Sequence, residues 1–324
     1  MMNLPFYDAV KQLQDSYLMF PAFEKAFSQI EDNLKLFRAT GIARNLLVLG
    51  ESGTGKTTLC RLFVERYPKQ VLPERDVIPV LYVSVPAAAT IAGTVEAILA
   101  ALGDPNPERG TVPAKTARAV RIARGCGVDM LLCDESQHIQ DRGRTHSQYF
   151  VGDWLKTFMD ALGSPVVLLG LPRTQSLLQV NEQLRRRFTH RLSLSVRQNE
   201  EAANPQNNSS FDLFHSLTDA LPLPFDPRPF GWRESGMRMH FATDGRIAYV
   251  KKLLVAAYEH AIDQSSKSVS AHELALAFTT AIWPSGVGAL NPFHPDFEFR
   301  ALDRLGEPFQ MGEVDTGVIH RRKR

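Results

Sequence analysis

The chain has 324 residues, 44% hydrophobic and 22% charged, with a net charge of +2; this is globular composition, long enough for one sizeable α/β domain and a smaller one. Near-neutrality excludes a domain that is basic throughout, so any DNA surface must be local. Cys60, Cys126 and Cys133 form no CxxC pair and lack histidines at zinc spacing, the amino terminus has no basic segment leading into an apolar stretch, and no apolar run approaches the roughly 18 to 20 residues that span a bilayer, so a cytoplasmic protein without disulfide framework or zinc site is expected.

In chain order, Phe20, Phe23, Phe27, Ile30 and Leu34 recur at helical spacing, which predicts a helix packed on the core. From residue 45 short apolar runs alternate with longer amphipathic stretches, the pattern of a parallel sheet with covering helices. Five strands are expected, at Asn45 to Leu49, Ile78 to Val85, Val128 to Cys133, Val166 to Leu169 and Arg191 to Val196, with helices between them, notably Lys56 to Tyr67 and Tyr149 to Leu162. The polar stretch Glu200 to Ser210 reads as a linker, and the pattern from Ile247 to Ile262 as a helix of a small second domain. The expected boundaries are an N-terminal helical segment (1–40), an α/β domain (41–199), a small helical domain (200–285) and a tail (286–324).

Gly50-Glu51-Ser52-Gly53-Thr54-Gly55-Lys56-Thr57 matches GxxxxGK[ST] between a predicted strand and a predicted helix. Such a loop turns backbone N–H groups toward phosphates, with Lys56 reaching the β and γ phosphates of ATP, the Thr57 hydroxyl on magnesium, and Thr58 following in the helix. The third strand ends in Asp134 and Glu135. Asp134 is expected to hold magnesium, and Glu135 to polarise the attacking water, which needs a carboxylate beside the metal rather than on it.

Arg185, Arg186 and Arg187 precede the fifth strand. They suit either a helix C-terminus and solvent or an arginine finger, Arg186 or Arg187, inserted into a neighbouring subunit. Arg246, after Gly245 at the start of the second-domain helix, is either a solvated turn residue or an arginine that reaches the γ-phosphate.

Together these parts resemble the AAA+ ATPases over roughly residues 15 to 285, and within them the TniB/TnsC transposition regulators. The segments Gly125 to His138 and Ser164 to Pro172 look like that family's third and fourth strands. One departure is Gly170, where the fourth strand often ends in a polar sensor residue. The resemblance implies an AAA+ fold with a five-stranded parallel sheet and a helical lid, and an ATPase that oligomerises on duplex DNA as a ring or filament. It further implies that the chain recruits a DDE-type transposase and meets a target-selection protein, hydrolysis controlling disassembly. Family DNA contacts fall in loops that correspond to Pro86 to Thr94 and Pro105 to Pro113, in whose neighbourhood Arg109, Thr111 and Lys115 suit phosphate contacts. Lys115, Arg118, Arg121 and Arg124 recur every three residues, as a DNA-following stripe or a solvated face; the basic end His320 to Arg324 is open between a loose end and a binding arm. The competing readings are an AAA+ ATPase outside transposition, a helicase suggested by Asp134-Glu135-Ser136-Gln137, and a module that holds nucleotide without hydrolysing it.

Overall fold

The computed structural model describes residues 4–15, 20–87, 89–139, 145–194, 209–219 and 221–310. The expected linker, the last two residues of the expected fifth strand and the basic end at 320–324 lie mostly or wholly outside them. The chain divides into two compact units, one of residues 17–209 with Arg246–Ala248, the other of the remaining segments.

In the first unit, β1 (Leu46–Leu49), β4 (Val80–Ser84), β5 (Met130–Asp134), β6 (Val166–Gly170) and β7 (His190–Ser193) form a five-stranded sheet in the order β4-β5-β6-β1-β7. All its pairings are parallel. Every residue of β5 and β6 is buried, because a parallel sheet is covered on both faces. Alternation sorts the side chains: Leu47, Leu81, Leu131, Cys133, Val166 and Leu168 enter one core cluster, and Leu46, Val48, Val80, Met130, Leu132, Val167 and Leu169 the other.

The first face is covered by α4 (Ile91–Ala101), α5 (Val112–Gly125) and α6 (Thr145–Leu162), which supply Val95, Ala119, Leu155 and Phe158. The second is covered by α2 (Pro21–Thr40) and α3 (Lys56–Arg66), through Phe23, Ala26, Ile30, Leu34, Leu59 and Phe63. α2 has Pro at its start and ends at Gly41, whose φ of 72° lets its N–H reach the Phe37 carbonyl at 2.7 Å. A two-stranded antiparallel pair, β2 (Gln70–Val71) with β3 (Asp76–Val77), precedes β4. It was not expected from sequence, being two residues per strand and not buried. Short helices α7 (Gln175–Val180) and α8 (Glu182–Arg187) lead into β7.

The second unit contains α1 (Leu4–Asp15), α9 (Ser209–Thr218), α10 (Gly231–Thr243), most of α11 (Ile247–Asp263) and α12 (Ala271–Ala277). Residues 286–310, placed by sequence in a tail, are folded here: Phe293, Phe297, Leu302 and Phe309 are buried. Arg238 of α10, itself only 3% exposed, ties them down by donating to the Pro292 and His294 carbonyls at 2.6 and 2.7 Å. Its guanidinium also lies 3.8 Å from the Phe230 ring centre.

Candidate nucleotide-binding site

β1 brings the chain out of the sheet at Gly50, whose N–H donates to the Gly170 carbonyl at 3.0 Å. Beyond it Gly53 and Gly55 have φ of 81° and 95°, values that side-chain-bearing residues rarely adopt. Gly53 is doubly constrained, since a Cβ there would stand 2.8 Å from the Ala248 Cβ, and the Gly53 carbonyl accepts the Ala248 N–H at 3.1 Å. The Thr54 hydroxyl closes the loop by donating to the Glu51 carbonyl at 2.9 Å.

α3 then starts at Lys56 behind Gly55, an N-cap without a side-chain acceptor, so the first-turn N–H groups and the positive helix end suit an anion. Lys56 is buried and donates to the Gly50 and Glu51 carbonyls at 2.8 and 2.9 Å. Burial pulls its ammonium below the ordinary lysine range, while Glu135, Asp134 and Glu51 push it back up. Glu51 and Thr58 are half-buried, and Ser52 is exposed on the loop.

Asp134 ends β5 and is 1% exposed. Its Oδ2 accepts from the Thr57 hydroxyl at 2.6 Å and from the Tyr82 hydroxyl at 3.4 Å, and its Oδ1 from the Glu135 N–H at 2.8 Å. Burial and the Asp134 charge push the Tyr82 phenol up to about 12. The same two causes push the Cys133 thiol up to about 12 and the Cys60 thiol well above its usual value, so both stay protonated and inert. A carboxylate against a hydroxyl is a hard-oxygen pair of the kind magnesium takes.

Glu135 follows with φ of 54°, uncommon for a residue with a side chain. In the turn after it, Ser136 donates to the Leu169 carbonyl at 2.8 Å, Gln137 Nε2 donates to Glu135 Oε2, and Gln137 Oε1 accepts the Leu171 N–H at 3.1 Å. Gly170 has no room for a side chain: a Cβ would lie 2.4 Å from Thr174 Oγ1, 2.6 Å from Ser136 Oγ and 2.9 Å from Gln137 Oε1. Polar groups from adjacent turns therefore occupy the place of a strand-end side chain. Sequence reasoning assigned Gln137 no role; the available signal was an amide residue two positions after the acidic pair.

Arg246 and Ala248 cluster with this unit, next to the phosphate loop in the case of Ala248. The arginines of α8 differ among themselves. Arg186 pairs with Glu182 at 2.7 Å and Arg187 with Asp160 at 2.5 Å, whereas Arg185 is exposed and has no charged partner among the described residues. Arg109 and Thr111 are exposed. Lys115, expected from sequence to suit a DNA contact, is only 5% exposed and its ammonium pairs with Glu96 of α4. The basic stripe is likewise not continuous, since Arg118 pairs with Asp104 at 2.6 Å and Arg124 donates to the Ala161 carbonyl.

Among solved structures, Cdc6p from Pyrobaculum aerophilum is similar, with a TM-score of 0.61 at 16% identity over 86% of this chain and 72% of that one. The Aeropyrum pernix ORC1 protein, solved in complex with DNA, superposes with a TM-score of 0.60 at 18% identity, covering 83% and 68%. The Aeropyrum pernix ORC2 protein, solved as ADPNP-ADP complexes, gives 0.57 at 15% identity, covering 83% and 70%. These likenesses establish the AAA+ fold. No curated protein matches the sequence. Residues 9–195 match the family described as bacterial TniB protein, and with the phosphate loop, the β5 acids and the five-stranded sheet all inside that span, the chain belongs to the TniB family.

Proposed function

We propose that this chain is an ATP-hydrolysing regulator of DNA transposition, which oligomerises on duplex DNA and recruits a DDE-type transposase, hydrolysis controlling disassembly. The observation that carries the reading is the contact between the Thr57 hydroxyl and Asp134, which joins the phosphate loop to the β5 end with Glu135 beside it, in a chain of the TniB family.

The first-turn N–H groups of α3 and the Lys56 ammonium bind the phosphates. Thr57 and Asp134 would hold magnesium, which when bound offsets phosphate charge. Glu135 takes the proton of the attacking water. Arg246 reaches the nucleotide from the start of α11. An α8 arginine completes a neighbouring subunit's site, and the exposed pairs of Arg186 and Arg187, worth about 0 to 1 kcal/mol, are cheap to exchange for a phosphate. Arg109 and Thr111 contact the DNA backbone; a nearly neutral subunit binds weakly alone, and repetition along an oligomer raises affinity.

ATP turnover and nucleotide binding, measured with and without duplex DNA, test this. Lys56→Ala is expected to lose nucleotide, and Glu135→Gln to bind ATP yet hydrolyse it at least about a hundredfold more slowly. Near-normal turnover by the Gln variant would remove Glu135 from its role; DNA binding indifferent to nucleotide would favour an AAA+ ATPase outside transposition.

A further inference from the structure

We propose that Gln137 is the positioning residue of this site, a bridge whose amide fixes the Glu135 carboxylate against the end of β6. This rests on the reading of Glu135 as the group that activates water. AAA+ resemblance places a polar side chain at the end of the fourth strand, but Gly170 occupies that place and the surrounding hydroxyls and amide leave no space for one. The only described side chain hydrogen-bonded to the Glu135 carboxylate is Gln137.

The bridge has two distinct ends. Nε2 donates to Glu135 Oε2, and Oε1 accepts the N–H of Leu171, the residue after β6. Gln137 is 2% exposed, so its amide is not shared with bulk water and its orientation is set by these partners. Its neighbour Ser136 is anchored to the Leu169 carbonyl at 2.8 Å, which fixes the turn between the two strands. Glu135 itself sits at φ of 54°, a backbone conformation that surrounding contacts must hold. One carboxylate oxygen is thereby restrained and the other left to take a proton as the water oxygen attacks the γ-phosphorus and the bond to the β–γ bridging oxygen breaks, giving ADP and phosphate. Gln137 touches neither substrate nor water; it acts through Glu135.

Two substitutions separate the ends of the bridge. Gln137→Met removes both ends, whereas Gln137→Glu keeps an acceptor of the same size for the Leu171 N–H and, buried beside the Glu135 carboxylate, can donate to it only while protonated. Turnover at saturating ATP, affinity for a fluorescent ATP analogue, the ATP-to-ADP ratio of extracted nucleotide and hydrogen exchange at the Leu171 amide would be measured on the full chain. Gln137→Met should lower kcat at least about tenfold, a lost share of a general-base contribution, with affinity within about twofold, bound ATP accumulating and faster exchange at Leu171. Gln137→Glu, which keeps the acceptor, should leave Leu171 exchange as in wild type. In a Glu135→Gln background, Gln137→Met should lower residual turnover no further, because groups that act as a unit are not additive. Wild-type kcat in Gln137→Met, or losses that multiply with Glu135→Gln, would overturn the positioning role while leaving Glu135 in place. Wild-type turnover by Glu135→Gln alone would overturn the reading beneath it, and the proposal with it.

Discussion

The phosphate corner and the basic surface of the same unit differ in how their residues are held. At the corner, buried Lys56 is tied within the phosphate loop, to the Gly50 and Glu51 carbonyls at 2.8 and 2.9 Å, and buried Asp134 accepts from the loop's Thr57 hydroxyl at 2.6 Å. On the basic surface, Arg186, Arg187, Lys115 and Arg118 each pair with an acid. The charges at the corner are hydrogen-bonded to neutral carbonyls and hydroxyls, whereas each of the others has first to leave a charged partner. Function at the surface depends on how cheaply each pair breaks.

The largest expected effect breaks the contrast at α8. Exposed pairs contribute about 0 to 1 kcal/mol, so Arg187→Ala should leave thermal stability nearly unchanged, yet remove up to about 10³ to 10⁵ in turnover if the arginine acts in a neighbouring site. Mixing a Lys56 variant with the Arg187 variant should restore activity, by pairing an intact loop with an intact arginine. The same mixture with Arg186→Ala or Arg185→Ala identifies which side chain is used. Absence of rescue by all three, with co-assembly shown by light scattering, would return the arginines to the surface class.

Next is the loop backbone. Gly53→Ala meets a disfavoured φ of 81° and a Cβ contact of 2.8 Å with Ala248, and should cost about 2 to 4 kcal/mol of stability or the equivalent in nucleotide affinity. Gly41→Ala sharpens the comparison, because Gly41 has φ of 72° and nothing within 4 Å of the added atom. It should cost only the conformational part, about 1 to 2 kcal/mol. Equal losses in denaturant unfolding would mean that packing against Ala248 adds nothing.

The contrast also accounts for what the sequence disclosed. Phosphate-loop and β5 residues are constrained by neighbours in sequence, since glycine, lysine and threonine act through the backbone turn that contains them, so the motif located them. The strands β1, β5 and β6 were legible as apolar runs because a parallel sheet buries both faces. The pairing of Lys115 was not legible because its partner, Glu96, lies 19 positions away, and side-chain pairing between helices leaves no periodic trace. Gln137 went unassigned because its bridge depends on bringing Leu171, from the next strand, beside it. Residues 286–310 carry scattered aromatics without helical or strand periodicity, and what they pack on shows only in the fold, through Arg238 of α10, the Ala275 carbonyl of α12 and Tyr249 of α11.

Lys115 gives the third test. Lys115→Met would leave Glu96 without its ammonium, but Glu96 is 34% exposed on its side chain and can rehydrate. The loss should therefore be about 1 to 2 kcal/mol, below that of a fully buried pair. Its DNA affinity should fall with salt at the wild-type slope. Arg109→Ala should instead keep stability and make that slope shallower, by about 0.9 per lost phosphate contact in the cooperating unit. A shallower slope in the Lys115 variant would show that the lysine leaves Glu96 for DNA.

The smallest effect concerns Glu31, which belongs to the surface class although it braces the phosphate-loop helix. Its carboxylate accepts from Lys35 at 2.7 Å on α2, and from Arg66 at 2.7 Å and Tyr67 at 3.0 Å at the end of α3. The hydrogen bonds from Lys35, Arg66 and Tyr67 lower its pKa from 4.5 to about 2. A carboxyl depressed in the folded state gives stability that is fully present above the unfolded value, because below it the unfolded chain takes up the proton first. The contribution should therefore be whole at pH 7, decline from about pH 4.5 and be gone near pH 2. Glu31→Gln should unfold at lower denaturant than wild type at pH 7, with the gap closing as the pH falls through that window. Lys35 and Arg66 are solvent-exposed, at 62% and 58% of their side chains, so salt should narrow the gap at neutral pH too. A gap that persists undiminished at pH 2.5 would mean that Glu31 braces α2 against α3 by shape and neutral hydrogen bonding, and that its charge does not matter there.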